Sequence, residues 1–162
     1  MRIDWHVHIN DPKYMGPKWW KHPVPMTVEH ALDAHRLVGL DRTVISNAVH
    51  YIRFCETQKE ALAAIEGSNR YLAKCRDDHP DKFVPMATCI PGAGDEGLKE
   101  LERAVKEDDA RAVIINSSHH GHYPDEDSAK PFWKLVADEC CILDLFPVVL
   151  SAGSGPLNMR GV

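Results

Sequence analysis

Five short runs rich in β-branched and other apolar residues lie at 1–8, 43–46, 83–87, 112–116 and 147–150, separated by stretches of helical period. That alternation constrains the chain more than any other feature. Thr27 caps a helix running to Val38 that Gly39 ends, and a second helix spans about 56–78 before His79-Pro80. A third occupies about 97–107, and a fourth carries Pro131 in its first turn. Crossovers this long cannot join antiparallel neighbours through tight turns. The order therefore predicts an α/β fold with a parallel sheet and helices packed on it. The segment 9–25, with four prolines and Trp19-Trp20, is expected to be a long loop, and residues 151–162 an irregular tail.

Composition narrows the function classes. A hydrophobic share of 44% and a charged share of 27% over 162 residues suit one globular domain with a core. A net charge of -5 argues against a nucleic-acid groove, which needs a basic patch. No run approaches the roughly 20 apolar residues of a membrane span, and the N-terminus does not read as a signal peptide. Cys55, Cys75, Cys89, Cys140 and Cys141 are odd in number and lack C-x-x-C spacing, so a reducing cytoplasm is expected rather than a disulfide framework.

Ten histidines are unevenly placed, with His6 and His8 in the first strand and His119, His120 and His122 after the fourth. Residues two apart on a strand share a face, which puts Asp4, His6 and His8 together and Trp5, Val7 and Ile9 on the other side. Two imidazoles so spaced at a C-terminal strand end can converge on one divalent cation, and catalytic groups of parallel α/β folds collect there. Zinc is the first expectation, although manganese and iron accept the same ligands. Arg53, in the loop after the second strand, is a candidate for gripping a carboxylate. Asn116, Ser117 and His119, at the end of the fourth strand, are candidate substrate contacts. His22, His30, His35 and His79 read as surface or cap residues.

The run Ile3-Asp4-Trp5-His6-Val7-His8 resembles the opening strand of the amidohydrolase superfamily, in particular the branch holding aminocarboxymuconate-semialdehyde decarboxylase and resorcylate-type decarboxylases. The run from Val113 to Asp125 is similar to that branch's fourth strand and loop, and Pro131-Phe132-Trp133 to the start of its next helix. The resemblance covers 1–150 and implies a parallel (β/α) barrel of which about five of eight strands are present. It implies His6 and His8 as metal ligands and a metal-dependent hydrolase or non-oxidative decarboxylase of a small carboxylate, amide or lactone. It also implies a third histidine ligand at the end of the fifth strand, where Ser151 stands, and later catalytic residues without counterpart. Low activity of this chain by itself is therefore expected, with a second chain or a homo-oligomer completing the barrel or the gene product cut short. Two alternatives stay open: an inactive barrel fragment that binds a partner, and a metal-dependent phosphoesterase or DNase.

Overall fold

The structure is a computed structural model that describes residues 1–14, 27–116, 118, 119, 121–139 and 142–145. Five strands, β1 (Ile3–His8), β2 (Arg42–Ser46), β3 (Phe83–Thr88), β4 (Ala112–Ile115) and β5 (Ile142–Leu145), form one sheet in the order β1-β2-β3-β4-β5. Every neighbouring pair is parallel. The crossovers carry α1 (Val28–Val38), α2 (Gln58–Asp78), α3 (Gly94–Lys106) and α4 (Lys130–Glu139). Strand order that follows chain order steps always in one direction, as an arc of a barrel does. A doubly wound sheet would reverse at a switch point. The strand expected at 147–150 lies outside the described residues; β5 precedes it. None of the described helices is long and apolar enough to cross a membrane.

Local chemistry sets the element ends. The Thr27 hydroxyl accepts from the His30 N–H at the start of α1, and Gly39, at φ 68, closes it with a bond to the His35 carbonyl. Thr57 does the same for α2 by accepting from the Glu60 N–H at 3.1 Å. Helix α3 begins earlier than expected, because Gly94 takes a φ of 73 and turns the chain directly into it. Pro85 has no N–H to give, yet sits inside β3. Its strand pairs with β2 through 83–85 and with β4 through 86–88, so the proline falls at the changeover.

One face of the sheet carries the helices. Val7, Ile9, Ile45 and Phe83 pack with Ala31 of α1 and Leu72 and Cys75 of α2. Ala87, Val113 and Ile115 pack with Leu101 and Ala104 of α3 and Phe132 and Val136 of α4. Alternate strand residues thus meet the helices, while the residues between them, Val44, Met86, Ala112 and Ile114, fall in a cluster with Tyr51, Ile52 and with Ala61, Ala64 and Ile65 of α2. His35 departs from its expected place at the surface. It is only 5% exposed, and its ring bridges α1 to β2, with Nδ1 3.0 Å from the Leu40 carbonyl and Nε2 2.7 Å from the Thr43 hydroxyl. Helical spacing from Ala31 places it on the same inward stripe, and those two partners satisfy the ring there.

Three asparagines tie the C-terminal rim of the sheet. Asn10 accepts from the Ala48 N–H at 2.7 Å, and Asn47 donates to the Ser68 carbonyl at 3.0 Å. Asn69 of α2 holds Thr88 at the end of β3 twice, accepting from its N–H at 2.8 Å and donating to its carbonyl at 3.2 Å. These bonds fix the strand ends from which the loops of the site depart.

Candidate metal centre

The first strand is not a plain alternating ribbon. Asp4 lies opposite Thr43 and Val7 opposite Ile45, so Trp5 and His6 together face the single residue Val44. That extra residue is a β-bulge, and it reverses the phase of everything after it. Asp4 and Val7 both fall on the helix side, whereas His8 pairs with Ser46 on the other. Trp5 borders a cavity with Ile3, Val44, Val84 and Ala112, away from Val7 and Ile9. Register thus separates Asp4 from His8, yet Asp4, His6 and His8 still line one cavity beside α1, so the bulge alters the expected shared face without parting the three residues. Strict alternation fails here because a bulge adds one residue to one strand only. Asp4 still has a structural part, since its Oδ1 accepts from the His6 N–H at 3.1 Å. A bulge leaves a strand N–H out of the ladder, and a short carboxylate two residues earlier is well placed to receive it.

Beyond the bulge the two rings meet. His6 Nε2 lies 3.2 Å from His8 Nε2, with ring centroids 4.7 Å apart and planes at 85°. His8 Nδ1 is 3.0 Å from the Ser46 hydroxyl, which itself points to the Val7 carbonyl at 3.4 Å. Two Zn–N bonds of about 2.0–2.1 Å at a tetrahedral angle put their nitrogens roughly 3.3–3.4 Å apart. The observed separation fits two ligands of one cation within a few tenths of an ångström; without a cation it serves as an N–H···N bond. The pair stands at the C-terminal end of β1, beside a cavity of about 310 Å³ shared with Thr27, His30, Ala31 and Ala34. Among the described residues no third His, Cys, Asp or Glu completes a group of three.

Asn116 and His119 border a different cavity of about 270 Å³ on the same rim, between the loops that follow β3 and β4. Its walls include Gln58, Cys89, Ile90, His122, Tyr123 and Ser128. The described residues thus do not bring the candidate substrate contacts and the histidine pair into one cavity, although parallel strands put both at one end of the sheet. His119 and His122 close a tight hairpin through reciprocal backbone bonds of 2.9 and 3.0 Å, with Gly121 at φ 82. Glu126 anchors it by accepting from the Tyr123 N–H at 2.9 Å while standing 3.0 Å from His122 Nδ1. Those two contacts hold the Glu126 carboxyl below its ordinary range. Sequence patterns do not single out Glu126, whose one signal is its spacing of four from His122. Arg53 and His50 lie in the short helical turn Val49–Phe54 after β2, on the same rim, and their side chains lie outside what the structure describes. Ser117, His120, Trp19, Trp20 and Ser151 lie outside the described residues.

Comparison with known proteins gives the following. A family model described as Amidohydrolase matches residues 3–155. No curated protein matches. Among solved structures, 2,6-dihydroxybenzoate decarboxylase from Rhizobium superposes with a TM-score of 0.74 at 19% identity, over 98% of this chain and 52% of that one. A 5-carboxyvanillate decarboxylase from Novosphingobium aromaticivorans, solved with manganese and 3-methoxy-4-hydroxy-5-nitrobenzoic acid, gives 0.75 at 17% identity over 88% and 49%. A structure named amidohydrolase II gives 0.78 at 18% over 91% and 50%. The chain spans about half the length of each. At such identities the likeness establishes the fold, a parallel (β/α) barrel of which this stretch is an incomplete part.

Proposed function

The chain belongs to the amidohydrolase family, and from that premise we propose that it carries the first two metal ligands of a non-oxidative decarboxylase of small aromatic carboxylates, hydrolysis of an amide or lactone being the neighbouring alternative. The observation that carries this reading is the 3.2 Å approach of His6 and His8 at the C-terminal end of β1. A divalent cation held there, manganese or zinc, would supply Lewis acidity toward a substrate oxygen. The chain's own residues position and enclose. Ser46 orients His8, Asn116 and His119 offer polar contacts in a cavity whose walls also include Ile90, Pro91 and Ala93, and Ser117 and Arg53 stand in the adjacent rim segments as candidates for a carboxylate. The decarboxylases among the structural neighbours support this choice of reaction, and the manganese in one of them supports the choice of cation.

The odd number of cysteines and their lack of C-x-x-C spacing favour a reducing, cytoplasmic setting. The five strands form an arc with β1 at one side, which supports completion of the barrel by further strands, from this chain or a second one. Two ligands leave a cation loosely held, so little turnover is expected from these 162 residues alone. The test is calorimetric titration of 2,6-dihydroxybenzoate into the chain with and without Mn²⁺, alongside CO₂ release. Weak binding that requires Mn²⁺ and is lost in a His6→Ala, His8→Ala double variant is the expected result. Binding indifferent to both the cation and the double variant overturns the reading.

A further inference from the structure

We infer that Ser46 is a positioning residue for the metal ligand His8, fixing that ring as the tautomer protonated on Nδ1 so that the Nε2 lone pair faces His6. The inference rests on the reading of His6 and His8 as a metal pair. Its carrying observation is independent of that reading and lies in the hydrogen bonds of β2. Ser46 is fully buried, with 0% of its surface exposed, at the register position directly opposite His8. A hydroxyl has one proton to give. Given to the Val7 carbonyl, a long contact of 3.4 Å to a group that can only accept, that proton lets Ser46 make both contacts; given to His8 Nδ1 it would make only one, so the first arrangement is the one we assign. Toward His8 Nδ1, 3.0 Å away, the same oxygen can then only accept, so the proton of that contact belongs to the ring.

A neutral imidazole protonated on Nδ1 carries its lone pair on Nε2, the atom that stands 3.2 Å from His6 Nε2. The acceptor on the far side of the ring thus selects the nitrogen that can bind a cation and holds the ring plane toward it. The two histidines are not equivalent in this respect. His8 is already in the binding tautomer. His6, donating to His8 in the cation-free chain, must move its proton to Nδ1 before its own Nε2 can bind. The bulge held by Asp4 sets the height of His6 on the strand, and Ser46 sets the orientation of His8. Outer contacts of this kind change metal affinity by roughly 10–100-fold when removed.

Long-range proton–nitrogen NMR of the metal-free chain reads the tautomer directly, and calorimetric titration with Zn²⁺ reads the consequence. In the wild type, His8 is expected to be protonated on Nδ1; in Ser46→Ala it shifts toward protonation on Nε2. Zn²⁺ affinity is expected to fall roughly 10–100-fold in Ser46→Ala and to return close to wild type in Ser46→Thr, which keeps the hydroxyl on a strand position that accepts β-branching. A wild-type His8 protonated on Nε2 overturns the inference, and so does Zn²⁺ binding by a folded Ser46→Ala as tight as wild type. A wild type that binds Zn²⁺ no more tightly than His8→Ala overturns instead the metal reading beneath it, and the NMR result still decides the tautomer. If Ser46→Ala does not fold, as judged by circular dichroism, the wild-type spectrum and Ser46→Thr carry the decision.

Discussion

Replacing Asn69 with alanine is expected to cost about 2–6 kcal/mol of stability in urea unfolding, a large effect for a single polar substitution. Asn69 is 3% exposed and Thr88 fully buried, so water does not replace what the amide provides. One side chain satisfies both the N–H and the carbonyl of Thr88, and its amide also donates to Glu100 of α3 at 2.9 Å. Glu100 is in turn gripped by Arg103 through two bonds of 2.7 Å, and Arg103 reaches Asp108 at 2.7 Å. Both carboxylates hold the Arg103 guanidinium above its ordinary range, Glu100 contributing most. The change to alanine strands a buried donor and a buried acceptor at the end of β3 and cuts the link from α2 to α3. Each orphaned group costs about 1–3 kcal/mol, which is how the estimate arises. Asn69→Asp is no rescue, because it loses the donor and sets a second negative charge beside Glu100. A loss below about 0.5 kcal/mol for Asn69→Ala, the usual range for surface positions, would contradict this role.

The second large effect concerns the histidine pair. Zn²⁺ at a hundred times its dissociation constant stabilises a protein by about 2.7 kcal/mol, which appears as a rise in melting temperature. The wild-type chain is expected to show such a rise with Zn²⁺ or Mn²⁺. The His6→Ala, His8→Ala double variant is expected to show none, corresponding to a loss of affinity of about 100-fold or more. Without added cation the double variant should melt somewhat below wild type, since it loses the N···N approach and the contact of His8 with the buried Ser46 hydroxyl, though both rings are only half buried. A double variant still stabilised by cation as strongly as wild type would move the binding site away from β1.

Much of this architecture is legible in the residues. Thr27 and Gly39 bracket α1 because a hydroxyl cap and a left-handed glycine are local signals, and the apolar runs of β1 to β4 are short and β-branched. Long crossovers between them leave parallel pairing as the solution. The candidate site is legible as residue types and as a strand end. Its geometry is not. Alternation predicts an unbroken shared face for Asp4 and the histidines, and nothing in the letters Asp-Trp-His marks the extra residue opposite Val44. A bulge is a property of the pairing between two strands, so β1 alone does not encode it. The surface placement expected for His35 fails for a similar reason, because its partners, Leu40 and Thr43, lie across the turn and in the next strand. Asn69 and Ser46 carry no motif at all. Their importance comes from burial opposite a strand end, which only the assembled sheet creates. The division of the rim into two cavities is equally beyond the reach of sequence patterns, since it depends on how the loops after β3 and β4 fold over each other.

The central claim, that His6 and His8 form the cation site of this barrel arc, is tested most directly by paramagnetic broadening. Substoichiometric Mn²⁺ added to the nitrogen-15-labelled chain should broaden the ring signals of His6 and His8 first, followed by the backbone amides of Val7 and Ser46. His119, His122 and their hairpin should broaden less, being on the other cavity of the rim. Broadening centred on His119 and His122, or spread evenly over the exposed carboxylates with the β1 histidines unaffected, would contradict the account.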